Sequence, residues 1–83
     1  MTNEAITKVV ETKDHAEKTL SIQFKQRSTI TGLFIKGTDY SELRSKNFWR
    51  IVTHAHIDQW KKTKDMNLTR IFNGMEFKKI SEK

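Results

Sequence analysis

From Asn3 to about Lys18, Ala5, Ile6, Val9, Val10, Lys13 and Ala16 recur at three- and four-residue steps. That spacing predicts one amphipathic helix over about 3–18, with Asn3 or Thr2 as its cap. At Thr19 the period changes to two. "TLSIQFK" alternates Leu20, Ile22 and Phe24 with polar residues, which predicts a strand with one buried face. After the polar break "QRS", "TITGLFIKG" reads as a second strand rich in β-branched and aromatic residues. Gly32 in its middle marks a bend or a close backbone approach.

Beyond Gly37-Thr38-Asp39, "YSELRSK" predicts a helical turn, because Asp39 with Glu42 three residues later has the spacing of a capping box. "NFWRIVTHAHIDQW" reads as a long third strand with a break near its histidines, and "KKTKDMN" as a charged loop. "LTRIF", Asn73-Gly74 and "MEFKKI" predict a hairpin, since Asn-Gly suits the positive φ angles of a tight primed turn. The outline is one helix and five strands in a single domain spanning 1–83. A chain this short cannot cover two sheets, so the pattern predicts one strongly bent sheet curled into a small β-barrel, with Gly32 supplying a bend.

Composition narrows the function. There is no cysteine and no proline. Without cysteine, disulfides, thiolate zinc sites and cysteine nucleophiles are excluded, and a reducing cytoplasm is the expected compartment. The start, "MTNEAITKVV", has an early acid, no basic region and no apolar run, so no secretory leader is expected. The longest apolar run, Leu33 to Ile35, falls far short of the ~20 residues that span a bilayer. The formal charge is +6. In residues 1–20, four acids (Glu4, Glu11, Asp14, Glu17) face three lysines (Lys8, Lys13, Lys18), a balance of −1 that leaves +7 for the remainder. A positive body of that kind attracts polyanions, RNA or single-stranded DNA among them, although basic solvation alone produces the same balance.

The order of elements resembles the Sm-like small β-barrels, the family of the bacterial RNA chaperones and the spliceosomal ring proteins. "ITGLFIKGTD" is similar to the first Sm motif, with a central glycine in a bent strand and a closing aspartate. "LTRIFNGMEFKKI" is similar to the second, with apolar Phe77 and Ile80 three and six positions after Gly74. The resemblance covers about residues 3–80 and implies an Sm-like barrel that assembles by strand pairing. Its uridine pocket is not matched. "YSELRSKN" lengthens the connection that carries the family's asparagine, for which Asn47 is the nearest substitute, and Asn73 occupies the place of the family's arginine. Src-homology-3-like barrels share the architecture and bind peptides, so shape alone does not define activity.

On a strand, His54, His56 and Asp58 would share one face, a possible zinc or iron set, but three ligands on one strand reach poorly around a tetrahedron and no second cluster stands nearby. No phosphate loop, nucleophile elbow or paired acids occur, so neither an enzyme nor a cofactor is expected. His15 is expected on the exposed side of the helix, and Asn67-Leu68-Thr69 is a chance glycosylation sequon. Tyr40 is expected at the barrel rim. The stronger case is cations beside flat side chains. Arg50, Arg70, Trp60, Lys61, Lys62, Lys64, Arg44 and Lys46 are the expected nucleic-acid-binding residues, with Lys25 and Arg27 adding charge. The alternative is a protein-interaction or self-assembly module using an apolar patch at Phe48, Trp49 and Trp60. The competing demand is the core, which needs Phe24, Phe34, Phe72, Phe77 and Trp49.

Overall fold

Thr2 caps the first helix. Its hydroxyl accepts from the Ala5 amide at 3.2 Å, and helix α1 runs Asn3–Val10 with Ile6 and Val10 buried. The computed structural model describes residues 1–12 and 18–82, so the part of the expected helix that falls on 13–17, His15 included, lies outside the described residues. Strands β1 (Leu20–Phe24) and β2 (Ile30–Phe34) follow, then helix α2 (Tyr40–Ser45) and strand β3 (Phe48–Thr53). A 3₁₀ turn at His54–His56 leads into helix α3 (Ile57–Thr63). A second turn at Met66–Leu68, strand β4 (Arg70–Asn73), a third turn at Gly74–Glu76 and strand β5 (Phe77–Glu82) complete the order.

The five strands form one antiparallel sheet in the order β4-β3-β2-β1-β5. β1 alternates as its sequence requires, burying Leu20, Ile22 and Phe24. The sheet is not closed: β4 and β5 are its edges. The curl is nonetheless tight, since the Phe24 and Phe72 rings meet at 5.8 Å and the Lys25 amide donates to the Glu76 carbonyl at 2.9 Å. A register shift at Gln23/Phe24 breaks the β1–β5 ladder where this curl begins.

Four expectations are corrected. The long third strand ends at Thr53, and the chain turns into α3 rather than continuing extended. Ile57 and Trp60, three residues apart, present one helical face, with Asp58 in the first turn and Lys61 and Lys62 in the last, the charge order that a helix dipole favours. Much of "KKTKDMN" is therefore helix and 3₁₀ turn, not a simple loop. Asn73-Gly74 makes no hairpin either, because β4 pairs with β3 while β5 pairs with β1. No glycine has positive φ; Asn73 instead caps the 3₁₀ turn by accepting from the Met75 amide at 2.9 Å. At α2, Asp39 holds the cap position but makes no capping bond, so the expected capping box does not form.

Both faces of the sheet are covered. On one, Ile6 and Val10 of α1 close over Leu20, Ile22, Phe24, Trp49, Ile51, Phe77 and Ile80. On the other, Ile57 and Trp60 of α3 pack on Leu33 and Val52. This explains why adjacent Ile51 and Val52 are both fully buried.

Two glycines are dictated by close approach. A Cβ at Gly32 would stand 2.6 Å from Ile51 Cγ2 and 2.9 Å from the Val52 carbonyl oxygen. At Gly74 it would collide with the Asn47 carboxamide, and would lie 2.6 Å from Ile6 Cδ1 and 2.7 Å from Trp49 Nε1. At Gly37 the neighbours are looser, the Met66 methyl at 3.2 Å and an Asp39 oxygen at 3.3 Å, so a shift of a few tenths of an ångström makes room. Gly74→Ala and Gly32→Ala should therefore each destabilise by roughly 1–3 kcal/mol, with Gly37→Ala below about 1 kcal/mol. Urea denaturation checks the ranking; equal midpoints for all three variants would refute these packing constraints.

Candidate nucleic-acid interface

The expected binding residues separate into paired, buried and free groups. Arg50 lies along β3 and is turned into the structure, its Nη2 2.6 Å from Asp39 Oδ2 and its Nη1 donating to Thr69 Oγ1 at 3.0 Å. Arg44 of α2 reaches Glu11 at 3.2 Å and packs 5.8 Å from the Tyr40 ring. Lys46 pairs with Glu42 at 3.6 Å. Trp60 is 7% exposed and Trp49 1%, so both tryptophans belong to the core. Trp60 as an open stacking platform is thus corrected: α3 needs its ring against Leu33 and Val52. Lys61, Lys62, Lys64 and Arg70 remain exposed.

The Sm-like pocket residues also find other employment. Asn47 is buried; its side chain accepts from Trp49 Nε1 at 2.8 Å and donates to the Met1 carbonyl at 3.0 Å. His54 and His56 are exposed on the 3₁₀ turn and Asp58 on α3, not on one strand face. Among the described residues no three histidine, aspartate or glutamate side chains gather in a way that would hold a metal ion.

What the fold brings together instead is a cleft along β4, lined by Arg27, Phe48, Arg70, Ile71, Phe72, Asn73 and Glu76, with a volume of about 490 Å³. Its parts come from the β1–β2 connection, the start of β3 and β4, which the curl of the sheet draws side by side. The Arg27 guanidinium stands 5.0 Å from the Phe24 ring and 5.9 Å from the Phe72 ring, a cation–π seat that orients it. Neither Arg27 nor Arg70 has a carboxylate within ion-pair distance among the described residues. Phe48 and Phe72 are half-buried. Guanidinium groups grip phosphate oxygens in a fixed fork, and flat rings stack on bases. Arg70 was foreseen. The pairing of Arg27 with Phe72 was not legible, since it depends on the curl joining residues 45 positions apart in sequence.

A second cleft, of about 440 Å³, lies at the other end of β1 and β2, beneath α3. It gathers Trp60, Lys61 and Lys64 with Lys18 and Lys36 over an apolar floor.

No protein family, curated protein or solved structure matches this chain. The likeness to Sm-like barrels accordingly rests on element order and spacing. No helix among the described residues is long and apolar enough to cross a membrane.

Arg44 and Tyr40 share Glu11, whose Oε2 accepts from the Tyr40 hydroxyl at 2.7 Å. That hydrogen bond holds the Glu11 carboxyl below its ordinary pKa; burial opposes it, and the charges of Arg44 and Lys36 reinforce it. Burial and the bond to Glu11 together push the Tyr40 hydroxyl up. Because the folded Glu11 pKa is depressed, the contact stabilises above the unfolded carboxyl pKa and is lost as pH falls through the folded value. Tyr40→Phe should raise the Glu11 pKa toward the ordinary carboxylate range in a carboxyl-carbon NMR titration. An unchanged value would remove Tyr40 as the main cause.

Proposed function

We propose that this protein is a non-enzymatic, cytoplasmic binding module for single-stranded nucleic acid, RNA or single-stranded DNA, held in the cleft along β4. The observation that carries the reading is the meeting of two guanidinium groups, Arg27 and Arg70, neither in an ion pair among the described residues, with half-buried Phe48 and Phe72 around one cleft that Glu76 also borders. Phosphate neutralisation supplies most of the affinity, and stacking on a phenyl ring adds ~1–3 kcal/mol per base. Exposed Lys61, Lys62 and Lys64 strengthen the long-range field that steers a polyanion to the surface. The paired cations, Arg44, Lys46 and Arg50, take a structural part instead.

The same reading includes an Sm-like small barrel. The strand order, the α1 cap over one core and the contact of Phe24 with Phe72 support a sheet curled nearly onto itself. A second reading, self-assembly through an open strand edge, is favoured by Ile71, 50% exposed on edge strand β4, and by Met75, 60% exposed in the turn that follows.

Fluorescence anisotropy with labelled single strands of about ten nucleotides tests the proposal, a length within the usual site size of small barrels. Binding should weaken steeply with salt, and Arg27→Gln with Arg70→Gln should reduce affinity roughly tenfold while flattening the salt slope by about one unit per arginine. Lack of association at low salt, or a double variant that binds like the parent, overturns the reading. Light scattering on the same samples reports assembly.

A further inference from the structure

The cleft beneath α3 has a different chemistry. Its floor is hydrocarbon: Val10, Leu20, Leu33, Phe34 and Ile35, with the edge of Trp60. Among the described residues its charged side chains are four lysines, Lys18 before β1, Lys36 after β2, Lys61 on α3 and Lys64 at its end, with no acidic side chain beside them. Four ammonium groups drawn from three separate parts of the chain give the cleft a positive rim that attracts an anion.

Lys64 adds an independent sign. It ends α3 in the left-handed region at φ 54°, where glycine or asparagine is the usual residue and a lysine is strained. That conformation carries its ammonium back over the Trp60 ring, at 5.5 Å, to the rim of the cleft. Of the other three, Lys18 approaches a carboxylate only distantly, 4.0 Å from Glu82, and Lys36 lies 5.8 Å from the Tyr40 ring. Lys61 has no carboxylate partner among the described residues.

We infer that this cleft binds an amphipathic small anion, a hydrocarbon body carrying one terminal carboxylate. Apart from the Trp60 indole N–H the floor is aliphatic and aromatic carbon, which suits an unbranched chain or a ring better than a nucleobase edge. The volume of about 440 Å³ falls within the ~300–1,000 Å³ typical of small-molecule pockets. The apolar body is drawn in by removal from water, and the carboxylate stays at the rim among the lysines. This site uses none of the residues that line the β4 cleft and shares with the nucleic-acid reading only the long-range charge of Lys61 and Lys64, so binding at each cleft is tested separately.

Titration of the full chain with sodium decanoate, followed by amide chemical shifts, tests the inference. Saturable shifts are expected at Leu33–Lys36 and Trp60–Lys64, and not at Arg27 or Arg70. Acetate, which lacks the body, and decanol, which lacks the charge, should each produce no saturable change. Lys61→Glu with Lys64→Glu alters only exposed side chains, and should weaken decanoate roughly tenfold while leaving shifts elsewhere in place. The site is refuted if decanoate gives no saturable shifts, if decanol binds as well, or if the charge-reversed protein binds decanoate like the parent.

Discussion

The fold is organised around one buried asparagine. Asn47 follows α2 in the left-handed region at φ 61°, a conformation that asparagine tolerates better than most residues, and each of its polar groups has a partner. Its amide donates to Arg44, and its carbonyl accepts from Gly74, at 2.9 and 2.8 Å. Its carboxamide accepts from the Trp49 indole and donates to Met1. Four parts of the chain, separated by up to 76 residues, are tied at this point: the nitrogen of Met1 closes the set by donating to the carbonyls of Gly74 and Phe77. A polar residue buried without partners would be destabilising, but with all of them satisfied it specifies a single arrangement. The requirement for Gly74 follows directly, because the carboxamide and the indole fill the space a side chain would need.

From that point the sheet acquires its two faces. Trp49, oriented by Asn47, receives the edges of Phe34 and Tyr40 at 6.1 Å each, and α2 is thereby held against β3. The next residues of β3 then turn Ile51 to the α1 side and Val52 to the α3 side. A sheet covered by helices on opposite sides consumes its large aromatics internally. The exposed chemistry left over lies at the two ends of β1: a guanidinium and phenyl cleft at one, a lysine and hydrocarbon cleft at the other.

Much of the framework was legible from residue pattern. Alternation of Leu20, Ile22 and Phe24 placed β1, Gly32 marked a close strand approach, and Thr2 capped α1. What escaped was set by tertiary contact. "THAHIDQW" permits both a period of two and the i, i+3 pair Ile57 and Trp60, and the choice was made by apolar Leu33 and Val52 waiting on the far face of the sheet. Asn73-Gly74 carries a hairpin signal, but the ends of β4 and β5 are bound to different strands, and the glycine serves space rather than φ. Among candidate site residues, charge was readable and pairing was not. Arg44 and Arg50 look as free in the sequence as Arg70, and only the fold brings Glu11 and Asp39 to them, whereas Glu42 meets Lys46 one helical turn away.

The account rests on the Asn47 carboxamide holding the Trp49 indole inside a closed core, and hydrogen exchange of that indole N–H measures it directly. The prediction is exchange only through global unfolding, with a protection free energy equal to that of the slowest core amides, such as those of Ile22 and Ile51. Exchange of the indole orders of magnitude faster than those amides would contradict it, since the node would then open while the sheet remained intact.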